Sequence, residues 1–136
     1  MAWEDPKIDW TADNTLEYYD MNRIESNTDE LATLLRAIQY DIPALTVVTG
    51  RDVTSIDFVS GINRVENNIE TIKDNFFTPE GYETKKTWAV DISFSYLDAI
   101  RLENNLKLLY EFYQTVYDNL IYCGTFYCGE TAVIHT

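Results

Sequence analysis

The chain has 136 residues, 46% hydrophobic and 14% aromatic, which is enough apolar surface for one packed domain and too much for a chain disordered throughout. Ten basic side chains against twenty-three acidic ones leave a formal charge of −13, a field that repels nucleic-acid phosphate and anionic lipid. No apolar run is long enough to span a bilayer, and the opening Met1-Ala2-Trp3-Glu4-Asp5-Pro6 has neither the basic nor the apolar region of a signal peptide.

Taken in chain order, residues 1–14 read as an extended N-terminal arm in which Trp3 and Trp10 can anchor against the rest of the chain or against another one. A helix is predicted near 15–39, with Thr15 as its cap and a seam of Met21, Ile24, Thr28, Leu31, Leu35 and Ile38. A second is predicted near 57–76, capped by Ser55 or Asp57, with Phe58, Ile62, Val65, Ile69, Ile72 and Phe76 in line. A third is predicted near 94–121, capped by Ser93 or Ser95 with Asp98 following, along Ala99, Leu102, Leu106, Leu109, Tyr113, Val116 and Leu120. Residues 122–136 are rich in aromatic, glycine and β-branched residues, which predicts a short C-terminal β element, one able to pair with a neighbouring subunit.

The connectors at 40–56 and 77–93 have seventeen residues each and look extended, around Leu45-Thr46-Val47-Val48-Thr49-Gly50 and Lys86-Thr87-Trp88-Ala89-Val90. Antiparallel neighbours need only about 2–8 linking residues. Seventeen extended residues reach roughly 56 Å at ~3.3 Å each, and a helix of this size is about 38 Å long at ~1.5 Å per residue. Each connector can therefore run back along a whole helix. The expected fold is mostly α, a single domain holding a three-helix bundle at 15–121 with the helices parallel. An up-and-down arrangement with loose loops is the alternative.

A short pattern recurs three times: Arg23-Ile24-Glu25-Ser26-Asn27, Arg64-Val65-Glu66-Asn67-Asn68 and Arg101-Leu102-Glu103-Asn104-Asn105. The arginines are 41 and 37 residues apart, Asn22 and Asn63 precede the first two, and Trp10 and Trp88 each lie thirteen residues before an arginine. The bundle is therefore read as one helical unit used three times. Arg and Glu two positions apart do not face each other; they flank the aliphatic seam residue by about 100° on either side. In a parallel bundle the Glu of each helix can then meet the Arg of the next. The expected inter-helix polar ring comprises Arg23, Glu25, Asn27, Arg64, Glu66, Asn68, Arg101, Glu103 and Asn105. Its role is to fix register and neighbour choice rather than to catalyse.

Two cysteines, Cys123 and Cys128, and one histidine, His135, are too few for a disulfide framework, a structural zinc site or most triad chemistry. Acids on helix faces are more often solvated surface than a glycosidase pair, and Asp52 and Asp57 are too sparse for a calcium loop. No catalytic, cofactor-binding or metal-ligating residue is expected. Ten tyrosines and three tryptophans in so acidic a chain point to protein contacts, with Trp3, Trp10, Tyr110, Tyr117, Phe126 and Tyr127 as candidate interface residues.

Asp9-Trp10-Thr11, the segment Tyr19-Asp20-Met21-Asn22-Arg23-Ile24-Glu25-Ser26-Asn27, its two later counterparts and the closing Tyr122-Cys123-Gly124-Thr125-Phe126 resemble small structural proteins of phage and prophage tail gene clusters of Gram-positive bacteria, and of phage-tail-like bacteriocins. The resemblance covers roughly 9–128. It implies a non-enzymatic virion or tail-particle subunit near the baseplate or the tail-fibre attachment, assembled in the bacterial host cytoplasm. Its partners would be other tail, baseplate or fibre proteins in a symmetric multi-subunit assembly, with no nucleic acid and no membrane insertion. A departure occurs at Ile100, where the first two copies have Asn. The alternatives are a receptor- or glycan-binding module at the tail tip, a neck or connector ring subunit, and an acidic mimic of nucleic acid.

Overall fold

The computed structural model describes residues 3–14, 16–52, 59–89 and 94–126, with side chains as far as Leu120. It is mostly helical. Helix α1 spans Tyr18–Ala37, α2 Val59–Asn75 and α3 Tyr96–Phe126, and there is no β-strand among the described residues.

The helix ends follow from local chemistry. Helix α1 begins later than the predicted cap at Thr15, which lies outside the described residues; Glu17 is the capping residue, and the Asp20 carboxylate reaches back to accept its N–H at 2.8 Å. Asp98 does the same for α3, accepting from the Ser95 N–H at 3.0 Å and its hydroxyl at 3.1 Å. The other predicted caps, Ser55, Asp57 and Ser93, also lie outside the described residues. At its far end α1 closes through the paired bonds Tyr40 N–H to Leu35 O at 3.0 Å and Gln39 N–H to Arg36 O at 3.0 Å, with Gln39 at φ 79°. This is the Schellman closure, with glutamine where glycine is usual. Helix α3 continues to Phe126, so the part of the expected β element at 122–126 is helix; the rest, 127–136, lies outside the described residues.

Each helix packs on the other two. Their directions follow from contacts at two levels. Near the helix starts, Arg64 meets Glu25 and Arg101 meets Glu66; near the ends, the rings of Tyr40 and Phe76 lie 4.8 Å apart and those of Phe76 and Phe112 5.4 Å apart. Both levels run in the same order, so the three helices are parallel. Each connector runs the opposite way: Thr46, Val48 and Arg51 bond successively to Asn68, Glu25 and Asn22, and Glu83, Lys86 and Trp88 to Asn105, Glu66 and Asn63. The N-terminal arm does the same between α3 and α1, from Trp3 on Tyr110 to Trp10 on Glu103.

The core is the shared seam: Met21, Ile24, Leu31 and Leu35 of α1, Val65, Ile69 and Ile72 of α2, and Leu102, Leu106, Leu109 and Tyr113 of α3, closed at one side by Ile42. Thr28 sits in the seam with its hydroxyl donating to Ile24 O at 2.7 Å, so no polar atom is stranded there. The seam thins at both ends: Ile62, Phe76 and Val116 are half-buried and Leu120 is exposed, while Phe58 lies outside the described residues. Between Glu80 and Tyr82 the second connector turns tightly, with Gly81 at φ 91° and Tyr82 N–H bonded to Pro79 O at 3.2 Å, a geometry that calls for glycine.

Candidate functional site

The most concentrated chemistry in the molecule is a girdle of buried charges around the upper bundle. Glu25, Glu66 and Glu103 have relative exposures of 1%, 2% and 0%. A carboxylate so placed is strongly unfavourable unless its lone pairs are filled, and here they are filled three times over in the same way.

Glu103 of α3 receives Arg23 of α1 through Nε at 2.8 Å and Nη2 at 2.6 Å, the Trp10 indole N–H at 3.0 Å and the Lys7 backbone N–H at 2.9 Å. Glu66 of α2 receives Arg101 of α3 through Nη1 at 2.8 Å and through Nη2, the Trp88 indole N–H at 2.7 Å and the Lys86 N–H at 3.3 Å. Glu25 of α1 receives Arg64 of α2 through Nη2 at 2.7 Å, Arg51 Nη2, and the Val48 N–H at 3.1 Å. The glutamate of one helix thus takes the arginine of the next, and the indole or guanidinium of the connector lying between them completes the cage.

The asparagines hold the connectors. Asn27 accepts from the Glu4 N–H at 2.9 Å and donates to its carbonyl at 2.8 Å; Asn105 does the same to Glu83 at 2.9 and 2.8 Å; Asn68 donates to Thr46 O at 2.8 Å. An amide side chain has one acceptor and two donors, so it mimics a neighbouring strand for a single extended residue. Asn22 and Asn63 clamp a second point in the same fashion, on the backbones of Arg51 and Trp88. The third helix has Ile100 at that position and cannot clamp Trp10 this way.

The electrostatics follow the geometry. The hydrogen bonds that Arg23 donates to Glu103 hold its guanidinium well above its ordinary pKa. Burial works to lower that of Arg101, but hydrogen bonding and charge from Glu66 outweigh it and leave it raised. Burial likewise works to raise the Asp98 carboxyl, and hydrogen bonds from Lys86, at 2.7 Å, and from the Ser95 backbone bring it below the usual carboxylate range. Arg101 approaches Glu66 through its two terminal nitrogens, which leaves its Nε buried and unpartnered among the described residues; Arg23 approaches side-on and uses its Nε.

No family model, curated protein or solved structure matches this chain. Every acid in the girdle carries a charged partner within one helix step, and no group of three His, Cys, Asp or Glu able to hold a metal ion occurs among the described residues. What such an arrangement does chemically is hold three helices and three extended segments in one register.

Four of the aromatic interface candidates, Trp3, Trp10, Tyr110 and Tyr117, have their surroundings defined. Trp10 is buried at 5% exposure and anchors the arm to the bundle, so it offers no surface to another chain. Tyr110 is half-buried, stacked on Trp3 at 4.0 Å with the ring planes 6° apart. Tyr117 is 43% exposed. The Phe126 side chain and all of Tyr127 lie outside the described residues, as does Cys128. Arg51 is the residue the sequence reading missed. It stands thirteen residues before Arg64, the same offset as Trp10 and Trp88 from their arginines, and that offset is the signal that finds it.

Proposed function

We propose that this chain is a structural subunit of a phage tail or phage-tail-like particle, near the baseplate or the fibre attachment, that works by protein packing without catalysis. The bundle is one Trp/Arg-connector-helix unit used three times, and the virion or tail-like particle, assembled in the bacterial host cytoplasm, is its place. The supporting observation is that the polar residues of the recurring motif, the same residues that carry the tail-protein resemblance, are spent on internal register: Arg23 on Glu103, Arg64 on Glu25 and Arg101 on Glu66. A motif kept for rigidity suits a part that transmits load between neighbours. A glycan-binding module would favour exposed indoles, whereas Trp10 and Trp88 are each 5% exposed and committed to glutamates.

Immunogold labelling of particles purified from the producing host tests the proposal. Gold at one end of the tail is the expected result. Unlabelled particles, with the chain left entirely in the soluble fraction, would overturn it.

A further inference from the structure

The three corners of the girdle are built alike, and one of them departs at three positions. Where α3 meets α1, the extended arm brings Lys7 and Trp10 to the glutamate, and Asp20 stands three residues before Arg23. Where α2 meets α3, Lys86, Trp88 and Asp98 take those places. Between α1 and α2 the same places hold Val48, Arg51 and Gly61.

The valine leaves a strand edge open. Main-chain groups of an extended segment alternate from side to side. Thr46 and Val48 turn theirs to the bundle, on Asn68 and Glu25, which puts the N–H and C=O of Leu45, Val47 and Thr49 on the other side, without a hydrogen bond among the described residues. Charged side chains, lysine above all, and proline keep such an edge from pairing. The arm has Pro6 and Lys7, and the second connector has Lys85 and Lys86. The stretch Ala44-Leu45-Thr46-Val47-Val48-Thr49-Gly50 has no charge at all, is rich in residues that favour strands, and exposes Val48 at 41%.

The glycine leaves a charge half met. Asp20 lies 3.0 Å from Arg23 and Asp98 3.7 Å from Arg101, so each of those guanidiniums has a second carboxylate beside its girdle glutamate. The first turn of α2 carries no acid, and a Cβ on Gly61 would face Arg64 Nη1 at 3.7 Å, an ordinary contact. Arg64 gives Nε and Nη2 to Glu25, which Arg51 shares, and its Nη1 has no hydrogen bond among the described residues. Its side chain is 27% exposed, against 14% for Arg23 and 5% for Arg101. Edge and socket adjoin, because the Val48 N–H and Arg64 meet on the one Glu25 carboxylate.

We infer that the α1–α2 corner docks an extended strand of a partner protein, whose main chain pairs with Leu45, Val47 and Thr49 and whose Asp or Glu meets Arg64 over Gly61. The open main-chain groups select a strand, and the two sister corners show that a carboxylate belongs in the socket. A second copy would present the same uncharged stretch, with no acid for Arg64 and a like charge of −13 behind it. This inference rests on the reading that the chain works by protein contact, and adds the place and the partner's chemistry.

The test uses the intact chain and two acetylated hexapeptides of alternating threonine and valine, one ending in aspartate and one in asparagine, with binding and amide exchange followed by NMR at physiological salt. The aspartate peptide is expected to bind at least about fivefold more tightly. It should slow exchange at Leu45, Val47 and Thr49 and leave Val48, already bonded to Glu25, unchanged. Gly61→Asp supplies the acid from within the chain, so it should remove the preference between the peptides and hold or raise Tm. Val48→Lys restores the lysine of the other two corners and should weaken both peptides by about fivefold or more. Equal binding of the two peptides by the parent chain, a preference that survives in Gly61→Asp, or unchanged exchange at the three amides overturns the inference. So does a concentration-dependent dimer that Val48→Lys dissolves, since a second copy would then be the occupant. A lower Tm for Gly61→Asp overturns it too, since the place would then reject a carboxylate. Particles that label with gold while neither peptide binds would remove the docking edge and leave the particle role standing; peptide binding beside unlabelled particles would do the reverse.

Discussion

Helix α3 has two unlike halves. From Asp98 to Tyr113 it contributes one buried layer after another: Arg101, Glu103 and Asn105 with partners on both neighbouring helices or connectors, and Leu102, Leu106 and Leu109 at 1% exposure or less. From Gln114 onward the same period of apolar residues continues, yet Tyr117 and Leu120 are exposed. The difference lies in the neighbours. An amphipathic pattern states which face wants covering, and among the described residues α1 and α2 cover that face along the first half of α3. Residues of identical chemistry, Leu109 and Leu120, therefore carry different energetic weight.

The contrast can be broken most severely in the girdle. Glu103→Ala removes the acceptor for Arg23, Trp10 and the Lys7 N–H at once and leaves the Arg23 guanidinium with Asp20, at 3.0 Å, as its remaining carboxylate. The expected loss is about 3–5 kcal/mol in urea unfolding, with Glu66→Ala close behind. Next comes the paired measurement along α3. Leu109→Ala should cost about 2–5 kcal/mol through the cavity it opens, and Leu120→Ala within about 0.5 kcal/mol. Equal values would mean that α3 is covered along its whole length.

Acid sharpens the comparison further. The folded Asp98 carboxyl titrates below its unfolded counterpart, so its contribution is fully present above the unfolded value near pH ~4 and is lost as pH falls through the folded one. Unfolding monitored by circular dichroism between about pH 4 and pH 2 should be less steep in Asp98→Asn than in the parent chain. The smallest effect is a gain. Gln39 holds φ 79° at the closure of α1, and Gln39→Gly should raise stability by about 0.5–1 kcal/mol, read as a small rise in Tm.

Much of the helical architecture was written in the chain. The seam steps locate three helices to within a few residues, because a period near 3.6 survives whatever the tertiary context. The ends were less legible. At 122–126 the Tyr-Cys-Gly-Thr-Phe run has strand-like composition, but it follows an uninterrupted helix, and continuing a helix needs no new nucleus. Arg51 escaped notice because its chemistry differs from tryptophan, although both deliver N–H donors to a buried carboxylate.

The sequence by itself determined which residues recur, which face of each helix is apolar, and that an arginine and a glutamate leave opposite shoulders of every seam. Those are local properties, set by side-chain chemistry and by the pitch of the helix. Only the tertiary structure decided that the Trp10 indole and the Lys7 N–H join Arg23 on Glu103, that Trp10 and Trp88 turn inward, and that Asn22 and Asn63 act as clamps while Ile100 does not. The physical reason is desolvation: a carboxylate is held in the interior only when donors from several chain segments arrive together, and no stretch of sequence read alone contains that meeting.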